Sequence, residues 1–215
     1  MNRRLFSIVL FASLAFGCAP KEREGDKDKE KGEVSTIISK VRLKTNKGDI
    51  VIQLNAEKAP VTVANFKKYV SAGHYNGTVF HRVINEFMIQ GGGYENKDGK
   101  LVEKKTGEGI VNESNNGLKN DIGTIAMART NDPNSATAQF FINVVNNDGL
   151  NFPNYGGYAV FGKVIEGMKV VNEIKVVNTA VKEMVNLDPR SDKHVPSPSQ
   201  DVPVDMVIIE SATLE

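Results

Sequence analysis

Tryptophan is absent from the 215-residue chain, and there is a single cysteine, Cys18. One sulfur excludes an intramolecular disulfide and a thiolate zinc site, both of which need several. Neither sign of charge is in excess, with 27 Lys and Arg against 26 Asp and Glu. Domains that bind nucleic acid by neutralising phosphates are strongly basic, so nucleic acid is not an expected partner. Histidine occurs only at positions 74, 81 and 194, without a ligand spacing, and no metal is expected. There is no Gly-x-Ser-x-Gly elbow, which leaves covalent nucleophilic catalysis without an obvious agent. Gly91, Gly92 and Gly93 are not followed by Lys-Ser/Thr and do not form a phosphate loop. They read instead as a place where the chain turns sharply and backbones pack closely.

What is present begins with the amino terminus. Arg3 and Arg4 precede Leu5–Phe16, twelve residues without charge. The run is short of the roughly 20 residues a membrane-crossing helix needs, and fits the apolar part of a secretory signal over residues 1–17. Cys18 follows directly after Gly17, and the junction resembles the lipobox of bacterial lipoproteins, in which the Cys is acylated. An ordinary signal peptide with an incidental Cys is the alternative. Lys21–Glu33 carries eleven charges in thirteen residues, too little apolar surface to fold, so residues 18–39 read as a lipidated, disordered tether. The expected location is the extracytoplasmic face of a bacterial membrane, held by lipid alone.

From residue 40 to 215 the pattern is that of one domain. Val41–Thr45 and Ile50–Leu54 alternate apolar and polar residues around a Gly-containing turn. Further strand-like runs are Thr78–Ile84, Phe87–Gln90, Thr124–Arg129, Gln139–Val145, Tyr158–Val164 and Val204–Ser211. Two helices are expected: Ala59–Ser71, with Pro60 near its start and Val63, Phe66 and Val70 on one face, and Gly167–Val177, with Met168, Val171 and Ile174 on one face. Many short strands with two helices predict a closed antiparallel barrel or sandwich. Tyr94–Asp121 and Asn186–Pro203, the latter with four prolines, read as long irregular segments. In an extended strand Phe80, Arg82 and Ile84 share one face and His81 and Val83 the other. An Arg on an apolar face is unusual; by itself it could be a rim side chain whose stem covers apolar surface.

Three further stretches stand out beside Phe80–Gly92: Gly123–Thr130, Ser135–Asn143 and Tyr158–Val164. In this order and spacing they resemble the motifs of the cyclophilin-type peptidyl-prolyl cis–trans isomerases, over roughly residues 40–215. The resemblance implies a mainly β fold, an eight-stranded closed antiparallel barrel capped by two α-helices. It implies an isomerase of X–Pro bonds that uses no cofactor, acts on proline-containing polypeptides and works as a monomer. Arg82 matches the catalytic arginine. Phe87, Met88, Phe141 and Leu150 match the walls of a proline pocket. Phe80, His81, Gln90, Ala128, Arg129, Thr130, Gln139 and Tyr158 match peptide-binding positions, with Arg129 and Thr130 expected to act mainly through backbone. Tyr158 stands where the family often has His. Gly149 falls where many members carry Trp, so a rim aromatic is missing unless Phe152 or Tyr155 replaces it. Loss of that ring predicts weak binding of cyclosporin, the cyclic peptide inhibitor associated with the family. A non-catalytic peptide-binding module on the same barrel is the alternative function.

Overall fold

The computed structural model describes residues 39–188 and 190–215. The readings made for residues 1–38, Cys18 included, lie outside the described residues. In chain order the elements are β1 (Lys40–Thr45), β2 (Gly48–Leu54), α1 (Pro60–Ser71), β3 (Thr78–Ile84), β4 (Met88–Lys97), β5 (Lys100–Glu103), β6 (Thr124–Met127) and β7 (Phe140–Asn143). There follow β8 (Val160–Glu166), α2 (Met168–Ile174), β9 (Thr179–Asp188), β10 (Lys193–Pro203) and β11 (Ile209–Leu214).

All strands join one sheet in the order β10-β9-β5-β4-β7-β6-β8-β2-β1-β11, with β3 paired to β4. The expectation of eight strands is therefore corrected to eleven among the described residues. Eight coincide with the runs read from the sequence; β5 and β10 lie in the segments read as irregular, and β9 runs into the second of them from residues to which no element was assigned. β5 forms because Asp98 and Gly99 both take positive φ, 51° and 82°, the combination of a tight two-residue hairpin turn. Leu101 of β5 then pairs in parallel with Met184 of β9, and β10 completes the hairpin as the sheet edge. The two prolines Pro196 and Pro198 are spaced by two along β10, so their missing N–H groups fall on one side of the strand, as edge strands tolerate.

The closed barrel is not what the strand pairing describes. Between β3 and β11 there is one isolated bridge, Val79 to Ile208, supported by Phe80 N–H to Val207 C=O at 2.9 Å and Gly77 N–H to Ile209 C=O at 2.8 Å. The β3–β4 register shifts twice, between Thr78 and Phe80 and between Phe80 and Arg82.

The main core is filled by rings. Phe66 of α1 lies 5.1 Å from Tyr75, 5.7 Å from Phe140 and 5.0 Å from Phe161, between ring centres. Val63, Phe66 and Val70 are buried as the helical spacing requires. The cap of α1 comes from far along the chain. Glu113 accepts the N–H groups of Val61 and Thr62 at 3.1 and 2.8 Å and the Thr62 hydroxyl at 2.7 Å, which satisfies free donors of the first turn. In α2, Val171 and Ile174 are buried. A second cluster, Val79, Tyr94, Leu101, Met184 and Val202, fastens the β9–β10 hairpin to β3, β4 and β5. A third, built on Met88, Ala126, Phe141 and Val160, underlies the site described next.

Candidate active site

The site is assembled where the bulges of β3 and β4 meet. Opposite Gly91 and Gln90, β3 places Phe80 and Arg82, with one residue extra between them. Phe80 and Val83 accordingly both enter the main core, three residues apart rather than two, and the expected sharing of a face by Phe80 and Arg82 does not hold. The phase change turns Arg82 outward, where it lines a cavity of about 120 Å³. The other lining residues are Phe87, Met88, Gln90, Ala128, Arg129, Phe141, Leu150 and Tyr158. They come from the turn after β3, from β4, β7, the segment after β6, and the loop between β7 and β8.

Glycines make the approach possible. A Cβ on Gly92, which has φ of 84°, would stand 2.8 Å from the Tyr75 ring and 2.9 Å from the Phe140 ring. A Cβ on Gly93 would overlap the side chain of Gln139. The close packing read from the sequence is thus found at these positions. Gln139 does not line the cavity; its Oε1 accepts from Gln90 Nε2 at 3.0 Å, and its own Nε2 donates to Glu103 at 3.4 Å. Gln90 is thereby oriented from behind.

Arg129 is a clamp for the wall. Its guanidinium donates to the carbonyls of Tyr155, Gly157 and Thr130 at 2.6–3.1 Å and lies 4.3 Å from the centre of the Tyr158 ring. Tyr158 in turn packs edge-on to Phe141 at 5.8 Å. Below Phe87 lies an amide network that the sequence reading did not single out. Asn147 donates to the Phe87 carbonyl at 2.8 Å and to Asn143 at 2.7 Å, while Asn143 donates to Asn120 at 3.2 Å and Thr124 at 2.9 Å. Asn120 and Asn143 are fully buried, and buried amides with complete partners hold a wall rigid. A lone Asn carries no sequence signal of this role.

Four expected site residues, Gln139 among them, stand apart from the cavity. Phe80 is 1% exposed in the core and has no surface to offer a ligand. His81 is buried against Tyr94, 4.6 Å between ring centres, and its Nδ1 has no partner. Burial pushes this imidazole down to about 4, and the neighbouring Arg82 charge acts in the same direction. Thr130 is exposed and bonded to Ser135 at 2.8 Å. The gap at Gly149 stays open: a Cβ there would meet nothing within 4 Å. Phe152 and Tyr155 are exposed and are not among the lining residues, so neither replaces the missing aromatic.

A cleft that gathers Arg82 with Phe87, Met88, Phe141 and Leu150 has counterparts among known proteins. The family model for cyclophilin type peptidyl-prolyl cis-trans isomerase/CLD matches residues 40–211. The chain belongs to this family of isomerases. It is 52% identical over 181 residues to the peptidyl-prolyl cis-trans isomerase cyp18 of Streptomyces antibioticus, covering 82% of this chain and 99% of that one. It is 54% identical over 178 residues to peptidyl-prolyl cis-trans isomerase B of Escherichia coli strain K12, covering 81% and 98%. Among solved structures, a Cryptosporidium parvum cyclophilin type isomerase in the presence of the dipeptide Ala-Pro superposes with a TM-score of 0.61 at 28% identity, covering 82% of this chain and 98% of that one. The enzyme described here is therefore a cyclophilin-type peptidyl-prolyl cis–trans isomerase.

Proposed function

We propose that this cyclophilin accelerates X–Pro rotation in exported polypeptides without covalent chemistry, with Arg82 donating to the prolyl nitrogen. The barrier arises because resonance gives the C–N bond double-bond character, about 18–20 kcal/mol. In the twisted transition state the nitrogen leaves conjugation and gains a basic lone pair. A guanidinium beside it donates only when that lone pair exists, which is differential stabilisation of the transition state. A charge-assisted hydrogen bond is worth about 1.5–3 kcal/mol, whereas a millionfold acceleration needs about 8 kcal/mol. The rest is assigned to Phe87, Met88, Phe141 and Leu150, which grip the proline ring in a dry cleft while the carbonyl side turns. Gln90 and Ala128 would contact the peptide around the susceptible bond, and the backbone around Arg129 and Thr130 would extend that contact.

The observation that carries the reading is the place of Arg82, whose side chain is 44% exposed and lines one cavity together with Phe87, Met88, Phe141 and Leu150. Arg82→Ala should lose about ten- to a hundredfold in kcat/KM with an unchanged circular dichroism spectrum. A folded variant with near-wild-type activity in a protease-coupled assay would sink the mechanism. That the clients are exported proteins rests on the signal-like residues 1–17 and on Cys18.

A further inference from the structure

The β9–β10 hairpin contributes nothing to the cavity lining, yet one of its side chains reaches the arginine there. Val202, 1% exposed, is packed with Val79 and Tyr94 and anchors β10 to the sheet at β3 and β4. Asp201, directly before it, lies where the β10–β9 register shifts between Ser199 and Val202, and takes φ of 59°. A non-glycine residue in that region is strained, and strain of this kind collects at functional positions. Asp201 Oδ2 lies 3.9 Å from Arg82 Nε, the one carboxylate within ion-pair reach of that guanidinium among the described residues.

We propose that Asp201 is a positioning residue for Arg82. The inference rests on the role of Arg82 given above. An arginine with an unheld stem spreads its guanidinium over many rotamers, whereas donation to a nitrogen that becomes basic only when twisted needs one aim. A carboxylate on the Nε edge favours the rotamers that leave the two terminal amino groups facing substrate. At 3.9 Å the pair is held by charge rather than by a short hydrogen bond, so the guanidinium can still advance onto the peptide. The hairpin thus connects the far edge of the sheet to the reacting centre through one side chain.

The test is a cycle of variants of the full chain, with kcat and KM for an Ala-Pro peptide read by NMR exchange, which resolves slow turnover. Asp201→Asn and Asp201→Gly both suit a positive φ, so the backbone is retained while the charge is lost. Both should lower kcat about two- to fivefold, the range of an exposed ion pair, with KM little changed. In an Arg82→Ala background the same substitutions should change nothing. Wild-type kcat in Asp201→Asn, or an equal loss in both backgrounds, would overturn the positioning role. Full activity of Arg82→Ala alone would instead overturn the reading of Arg82 on which it rests.

Discussion

Gly149 is the residue at which this cyclophilin departs most from what its resemblance implies. The space beside it is open, so a large side chain can be added without displacing a neighbour. Cyclosporin should bind the wild type weakly and Gly149→Trp more tightly. Restoring an aromatic contact is worth about 2–3 kcal/mol of burial, and its N–H about 1 kcal/mol more, together on the order of a few hundredfold in affinity. Titration of both proteins checks this, and nanomolar inhibition of the wild type would defeat it. His81 makes a different prediction, about pH. Its imidazole falls from the ordinary 6.5 to about 4 on folding, so between those values the unfolded chain binds more protons, and stability must fall as pH is lowered. From pH 7 to 5 the loss attributable to this group is about 2 kcal/mol. His74 is pulled down in the same direction, chiefly by burial, so the wild type should be compared with His81→Phe rather than judged alone. Urea midpoints at both pH values should show a shallower decline in the variant; parallel declines would refute the assignment.

At the scale of elements, the bulged pair β3 and β4 decides where the chemistry sits. Even alternation along β3 would have sent Phe80 and Arg82 to the same face. The extra residue between them lets a core ring and a cavity arginine stand two apart in one strand. Gly92 supports the complementary irregularity in β4, and its replacement by Ala combines a left-handed backbone with contacts of 2.8–2.9 Å to Tyr75 and Phe140. Gly92→Ala should cost about 2–4 kcal/mol of stability, read as a lower urea midpoint. A midpoint within error of wild type would show that β4 can relax there. Both helices and the starts and ends of most barrel strands are legible in the sequence, because apolar spacing with a Pro or Gly at the boundary reports local structure. The β9–β10 hairpin is not, because only Met184 of β9 is buried, so no period of two shows, and its prolines argue for a loop unless the strand is known to be an edge.

At the scale of the whole molecule, the chain carries 25 basic and 26 acidic residues once residues 1–17 are set aside, with no charge excess to draw it to an anionic surface. On the lipoprotein reading, any membrane association comes from lipid on Cys18. Two or more acyl chains anchor stably where one is marginal, so Cys18→Ala should move the protein from the membrane to the soluble extracytoplasmic fraction. Wild-type protein found wholly in the soluble fraction would overturn the lipoprotein reading. The sequence by itself determined the family, both helices, eight of the strands, and the residues Arg82, Phe87, Met88, Gln90, Ala128, Arg129, Phe141, Leu150 and Tyr158 that share one cavity, because each matches a family position by residue type and order along the chain. Only the tertiary structure decided that Phe80 and His81 are buried behind that cavity, that Glu103 and three asparagines brace it, and that Asp201 stands against Arg82. Those contacts join residues as much as 119 positions apart, and their existence depends on bulges and register shifts. A one-residue slip reverses which face a side chain takes, and no local pattern of apolar and polar residues records such a slip.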